Sequence, residues 1–168
     1  FLDKDGKLVA NVPYNVNPAR VALPCGAVPA LERLAHAGCL LIVVSNQGGI
    51  ALGKFSERDL GSIEDRIQDL LQPSDVAVDA FYYCPHLPNG TVDRYAKRCG
   101  CRKPHAGMLL RAAAEWNIDL ESSWMIGDIL DDVEAGRRAG CSTMLIVNGN
   151  ETEWRPSPAR VPHAYATN

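Results

Sequence analysis

The chain has 168 residues, 46% of them hydrophobic and 22% charged, with a formal net charge of -3. That is too apolar for a disordered chain and unlike a coiled coil, so it reads as one packed domain over residues 1–168. No apolar run approaches the ~20 residues of a bilayer-spanning helix, and no dense Lys/Arg stripe offers phosphate contacts, so neither a membrane nor a nucleic acid is an expected partner.

In chain order, Phe1-Leu2-Asp3 is the end of a strand whose start is expected before Phe1. From Gly26, the residues Val28, Leu31, Leu34 and Ala35 recur at helical spacing until Gly38, and Cys39 to Val44 reads as a buried strand. Ser56 with Asp59 marks a second helix start. Leu60, Ile63, Ile67, Leu70 and Leu71 form its apolar face, and Pro73 ends it. A strand over Val78 to Tyr83 leads into an irregular stretch of Cys, Gly and Pro from 84 to 104. Beyond it come a helix from Gly107 to Trp116, a strand from Trp124 to Ile126, a helix from Leu130 to Ala139 and a strand from Ser142 to Val147. Such alternation predicts an α/β, Rossmann-like three-layer sandwich with a mainly parallel sheet covered on both faces. In these sheets ligands gather beyond the carboxyl ends of the strands. That rule selects Asp3 to Gly6, Ser45 to Gly49, Cys84 to Lys103 and Gly127 to Asp132 as parts of one site.

Asp3-x-Asp5-Gly6 alone reads equally as a solvated turn. A second acidic group, Asp128 with Asp131 and Asp132, ends another strand, and clustered carboxylates repel unless a cation joins them. Hard oxygen ligands suit Mg²⁺, which also binds phosphate. The Ser45 hydroxyl can hold phosphate oxygens, and Lys103, beside Arg102, can supply positive charge, though each alone is commonplace.

Cys84-x-His86 and Cys99-x-Cys101 supply the three thiolates and one imidazole of a closed tetrahedral zinc site. Buried cysteines without a ligand are the plain alternative. Pro85, Pro88, Gly90 and Gly100 make the stretch too irregular to bury a core of its own, which favours a zinc-binding loop over 84–103. Cys25, Cys39 and Cys141 read as small apolar residues. With no basic-then-apolar leader in view, a reducing, cytoplasmic setting is expected, and a monomer is the default.

Other patterns carry less. Gly48-x4-Gly53-Lys54 resembles a nucleotide-binding loop, but Phe55 stands where Ser or Thr would hold magnesium. Trp116, Trp124 and Trp154 read as packing residues, and His36, His105 and His163 have no evident partners. The glycosylation-type tripeptides Asn89-Gly90-Thr91 and Asn150-Glu151-Thr152 carry no weight in a cytoplasmic chain.

The order Asp3-x-Asp5-Gly6, Ser45, Lys103, Gly127-Asp128-x3-Asp132 resembles the haloacid-dehalogenase superfamily of aspartate-nucleophile phosphatases. Ser45-Asn46-Gln47, Cys84-Pro85-His86 and Cys99-Gly100-Cys101-Arg102-Lys103-Pro104 resemble its family of heptose-bisphosphate and histidinol-phosphate phosphatases. Gln47 to Phe55 looks more like the heptose enzymes.

The resemblance implies hydrolysis of a small phosphorylated sugar through an aspartyl-phosphate. Asp3 would be the nucleophile and Asp5 the acid and base, with Ser45 and Lys103 neutralising charge. It implies Mg²⁺ held by Asp3, the Asp5 carbonyl and Asp128 with support from Asp132, Zn²⁺ on the four Cys/His ligands, and substrate binding by Asn11, Tyr14, Asn46, Gln47 and Arg102. Four positions depart from the family: Leu52 where arginine is usual, Ile129 where a substrate-contacting lysine is common, Lys7 where threonine is common, and Asn11 where an acid stands in the substrate loop. Histidinol phosphate, another sugar phosphate, or a zinc-stapled phosphate-binding module without turnover are the alternatives.

Overall fold

The computed structural model describes residues 1–147 and 155–167, so Trp154 and the tripeptide at 150–152 lie outside the described residues. Among the described residues, five parallel strands and four α-helices are found, alternating as far as β4. They are α1 (Ala27–His36), β1 (Ile42–Asn46), α2 (Glu57–Leu71), β2 (Ala80–Cys84), α3 (Gly107–Trp116), β3 (Trp124–Gly127), α4 (Leu130–Ala139), β4 (Ser142–Ile146) and β5 (Ala164–Ala166).

β1 pairs with β2, and β4 lies between β3 and β5. The opening tripeptide joins the two halves. Leu2 donates to the Ile42 carbonyl at 2.8 Å and accepts from Val44, while Asp3 donates to Ile126 at 2.9 Å. The resulting order is β2, β1, residues 1–3, β3, β4, β5, with the carboxyl ends together.

Alternation of side chains sends Phe1, Ile42, Val44, Tyr82 and Met125 to one face, under Leu109 and Ala112 of α3 and Ala135 of α4. Leu2 and Val43 go to the other, under Leu31 of α1 and Ile63, Ile67 and Leu71 of α2. Each fully buried aliphatic side chain contributes about 1.5–3 kcal/mol, so these two interfaces dominate the fold. The Ser56 cap of α2 is a capping box, with the Ser56 amide donating to Asp59 at 2.7 Å.

Two strand starts differ from expectation for reasons of backbone hydrogen bonding. After α1, Gly38 adopts φ +80° and donates to Ala35, while Cys39 donates back to Leu34 at 3.0 Å. This Schellman cap engages the Cys39 amide, so the ladder begins at Ile42 and leaves Cys39 and Leu40 exposed. Before β2, the Gln68 side chain accepts from the Val78 amide at 3.0 Å and donates to its carbonyl at 2.6 Å, deferring the strand to Ala80.

Cys141 is buried as expected, but Cys25 and Cys39 are exposed, which corrects their reading as apolar residues. Trp116 and Trp124 are 41% and 43% exposed rather than packed. His105 Nδ1 lies 3.3 Å from Arg138 Nη1, and His163 Nδ1 accepts from the Thr143 amide at 3.0 Å.

Candidate active site

The carboxyl ends of residues 1–3, β1 and β3 bring Asp3, Ser45 and Asp128 to one place, and the first turn of α4 adds Asp132. All four are buried, Asp132 completely. A turn through Gly6, at φ +84°, folds the chain back so that Asp5 faces the cluster; Gly6 donates to Val9 and Val9 to Lys4. Gly127 is required for a different reason, because a Cβ there would collide with the Asp132 carboxylate.

Lys103, only 1% exposed, lies within this acidic group. Its Nζ is 2.5 Å from Asp3 Oδ1, 2.7 Å from Asp132 Oδ1 and 2.8 Å from the Val44 carbonyl. The Asn46 side chain sets its position by pairing with the Lys103 backbone in both directions, accepting at 2.9 Å and donating at 3.0 Å. Asp132 Oδ2 is 3.2 Å from the Asp128 amide and 3.3 Å from that of Ile129, so it orients the end of β3. Asp132 Oδ1 meets Lys103 as an ion pair without hydrogen-bond alignment, leaving a buried oxygen with spare capacity for a cation.

Asp5 is more open, with its side chain 37% exposed. Its carboxylate takes Lys4 Nζ at 2.6 Å and Gln47 Nε2 at 3.1 Å, with Ser45 Oγ at 3.5 Å. Burial pushes Asp3 up to about 7, with Asp132 and Asp5 reinforcing the shift and Lys103 opposing it. Burial would lower Lys103, but Asp132 and Asp3 outweigh it and hold the ammonium above its ordinary range. Carboxylate oxygens of Asp3, Asp128 and Asp132 lie within 4.8 Å of one another, a donor set that fits a hard divalent cation.

Beside this cluster, the four sulfur and nitrogen ligands converge. Cys101 Sγ is 2.9 Å from Cys84 Sγ, 3.3 Å from Cys99 Sγ and 3.3 Å from His86 Nδ1, and Cys84 Sγ is 3.6 Å from His86 Nδ1. Ligands about 2.3 Å from a shared tetrahedral zinc would stand roughly 3.7 Å apart, so the set fits Zn²⁺ with modest expansion. Burial and then Lys97 lower the His86 pKa, favouring the neutral imidazole a metal needs. Burial pushes the Cys84 thiol far up.

The expected substrate-binding residues divide into two groups. Asn46 is engaged with Lys103, Gln47 is buried against Asp5 and Ser45, and Arg102 donates to the His86 carbonyl at 3.2 Å while lying over Gly48. Tyr14 and Asn11 are exposed on the outer loop, and the Tyr14 ring packs against Gly49, where a Cβ would come within 2.8 Å of it.

Three features escaped the sequence reading. Lys4 and Lys7 both turn inward onto acids, Lys7 Nζ lying 3.8 Å from Asp128 Oδ2. Glu57 accepts from the hydroxyls of Tyr83 and Tyr95, joining α2 and β2 to the sulfur-bearing loop. The Lys103–Pro104 peptide is cis. Only the first left a signal, in the two lysines flanking Asp5-Gly6.

Residues 100–168 match the HAD-hydrolase-like family. The chain is 39% identical over 147 residues to D-glycero-beta-D-manno-heptose-1,7-bisphosphate 7-phosphatase of Escherichia coli K12, covering 88% of this chain and 77% of the relative. Among solved structures, a HAD-like phosphatase from Mesorhizobium loti superposes with a TM-score of 0.86 at 31% identity, over 98% of this chain and 78% of that one. D,D-heptose 1,7-bisphosphate phosphatase from B. bronchiseptica, complexed with magnesium and phosphate, superposes with a TM-score of 0.76 at 32% identity, over 86% and 78%.

Proposed function

Since this chain belongs to the haloacid-dehalogenase-like phosphatases and is a phosphoric monoester hydrolase, we propose that it removes the 7-phosphate from D-glycero-D-manno-heptose 1,7-bisphosphate with Asp3 as nucleophile. The observation that carries the reading is the buried Asp3 carboxylate set between Lys103 and the acids Asp128 and Asp132 at the carboxyl ends of the sheet. Lys103 engages one Asp3 oxygen and holds the carboxylate in place, so the other is the one that attacks phosphorus. The P–O bond to the sugar breaks, and its oxygen takes a proton from Asp5, whose greater exposure suits contact with the leaving group. Asp5 then removes a proton from the water that releases phosphate from the aspartyl-phosphate. Ser45 and Gln47 keep Asp5 oriented, and the Ser45 hydroxyl is a neutral donor for a phosphate oxygen.

Mg²⁺, held by Asp3, Asp128 and the Asp5 carbonyl with Asp132 in support, would supply charge neutralisation of the phosphoryl group. Zn²⁺ on Cys84, His86, Cys99 and Cys101 would be structural, leaving no open position for chemistry. Residues 1–168 act as one domain without a large cap, monomeric and cytoplasmic, where a reducing setting keeps the sulfur ligands free.

Two measurements test this. Asp3→Asn should lower phosphate release from a generic monoester by about 10⁴-fold or more with an unchanged circular-dichroism spectrum; equal rates would exclude the nucleophile. In a panel of the heptose bisphosphate, histidinol phosphate and other sugar phosphates, the bisphosphate should lead in kcat/KM. Leu52 and Ile129 leave fewer cations near a second phosphate than the family pattern has, so another sugar phosphate in the lead would reassign the substrate while keeping the chemistry.

A further inference from the structure

Lys7 is the basic residue in the acidic cluster for which the proposed chemistry has no role. Its Nζ is 3.8 Å from Asp128 Oδ2, and both side chains are only 5% exposed. Lys103 bridges Asp3 and Asp132, so Lys7 brings a second ammonium to the remaining acid of the cation cluster. The residue also lines an apolar pocket of about 400 Å³ with Leu2, Leu8 and Ile126. We infer that Lys7 is a built-in competitor for the divalent cation, pairing with Asp128 in the metal-free protein and weakening Mg²⁺ binding at the three-carboxylate site.

The physics is electrostatic. A fixed monovalent cation a few ångström from a divalent ion repels it, and where both are shielded from solvent neither salt nor water screens the repulsion well. The same ammonium relieves repulsion among Asp3, Asp128 and Asp132 when no ion is present, so Lys7 steadies the empty site and loosens the filled one. Lys7 approaches Asp128 Oδ2 at ion-pair rather than hydrogen-bond distance, so the contact is electrostatic.

This inference rests on the proposed Mg²⁺ site, and the test separates the two. Mg²⁺ is titrated calorimetrically into the purified protein at low ionic strength, with Mn²⁺ followed by electron paramagnetic resonance as a second readout. Lys7→Met, which keeps the apolar stem, and Lys7→Thr should each bind Mg²⁺ about tenfold more tightly than wild type. Lys7→Arg, which keeps the charge, should stay within about threefold of wild type, an outcome a packing role alone would not produce. Added Mg²⁺ should also raise the melting temperature of Lys7→Met by more than it raises that of wild type. Equal or weaker binding by both neutral variants would overturn the inference while leaving the metal site standing. Absence of binding by wild type, matching an Asp128→Asn control, would overturn both.

Discussion

The two ligand clusters are built in opposite ways. Asp3 and Asp128 project from backbone laddered on neighbouring strands, and Asp132 from the first turn of a helix packed on them, so the sheet sets their spacing before any side chain interacts. Their mutual repulsion is the cost of that rigidity, met in part by Lys103. In the sulfur cluster Cys84 ends β2, while His86, Cys99 and Cys101 lie in a stretch with no helix or strand between β2 and α3. Backbone bonds there close turns and loops rather than a ladder, among them Leu87 to Tyr95 at 3.1 Å and Gly107 to Gly100 at 3.0 Å. Convergence of four side chains does what a ladder does elsewhere. Lys103 ties the regions together: it follows Cys101 by two residues in the chain but works inside the carboxylate cluster, so the irregular region positions the cation of the laddered one.

Among changes that probe how the two clusters are joined, the largest effect should come from breaking the sulfur cluster. Cys101→Ser, or chelation that removes one zinc equivalent as measured by elemental analysis, should lower kcat by about 10²-fold or more through misplacement of Lys103, and should lower the melting temperature. Zinc should restore both in the chelated protein. A chelated protein with unchanged kcat would show that the loop holds Lys103 without the metal.

An intermediate effect should come from the junction itself. Asn46→Ala removes both hydrogen bonds to the Lys103 backbone and leaves that buried peptide short of partners, a loss of about 1–3 kcal/mol. A fall of roughly tenfold in kcat/KM is expected while zinc content stays at one equivalent. An unaltered kcat/KM would mean that Asp3, Asp132 and the Val44 carbonyl suffice to hold Lys103, and that the laddered region orders the irregular one.

How far the sequence carried depends on where the partners lie. The helices expected near Gly107 to Trp116 and from about Leu130 to Ala139 coincide with α3 and α4, since a helix closes its hydrogen bonds within its own segment. The starts of β1 and β2 do not coincide with those expected, since the Cys39 amide is claimed by a helix cap and the Val78 backbone by Gln68, a side chain ten residues away. β5 is three residues long with Tyr165 exposed, too short for alternation to register. The order of Asp3, Ser45, Lys103 and Asp128 could be read because each follows a strand or a recognisable motif. Asn46 reads as a substrate ligand in that order, whereas its partner is the backbone 57 residues further on. The inward turn of Lys7 depends equally on Gly6, whose left-handed backbone folds the chain over the cluster.

The smallest effect concerns the energy stored in the rigid region. A carboxyl raised to about 7 by burial binds a proton in the folded chain that the unfolded chain, near the ordinary value of 3.8, has already released. Between those limits the folded state holds more protons, so stability falls as pH rises, by roughly 1 kcal/mol per pH unit for one group. In chelator-treated protein, lowering the pH from 7 to 5 should therefore raise the melting temperature of wild type relative to Asp3→Asn, which has no proton to gain there. Saturating Mg²⁺ should abolish the difference, because the cation then does for Asp3 what the proton did. If wild type and Asp3→Asn instead melt in parallel across that range without metal, Lys103 alone already neutralises Asp3, and the strain lies with Asp128 and Asp132.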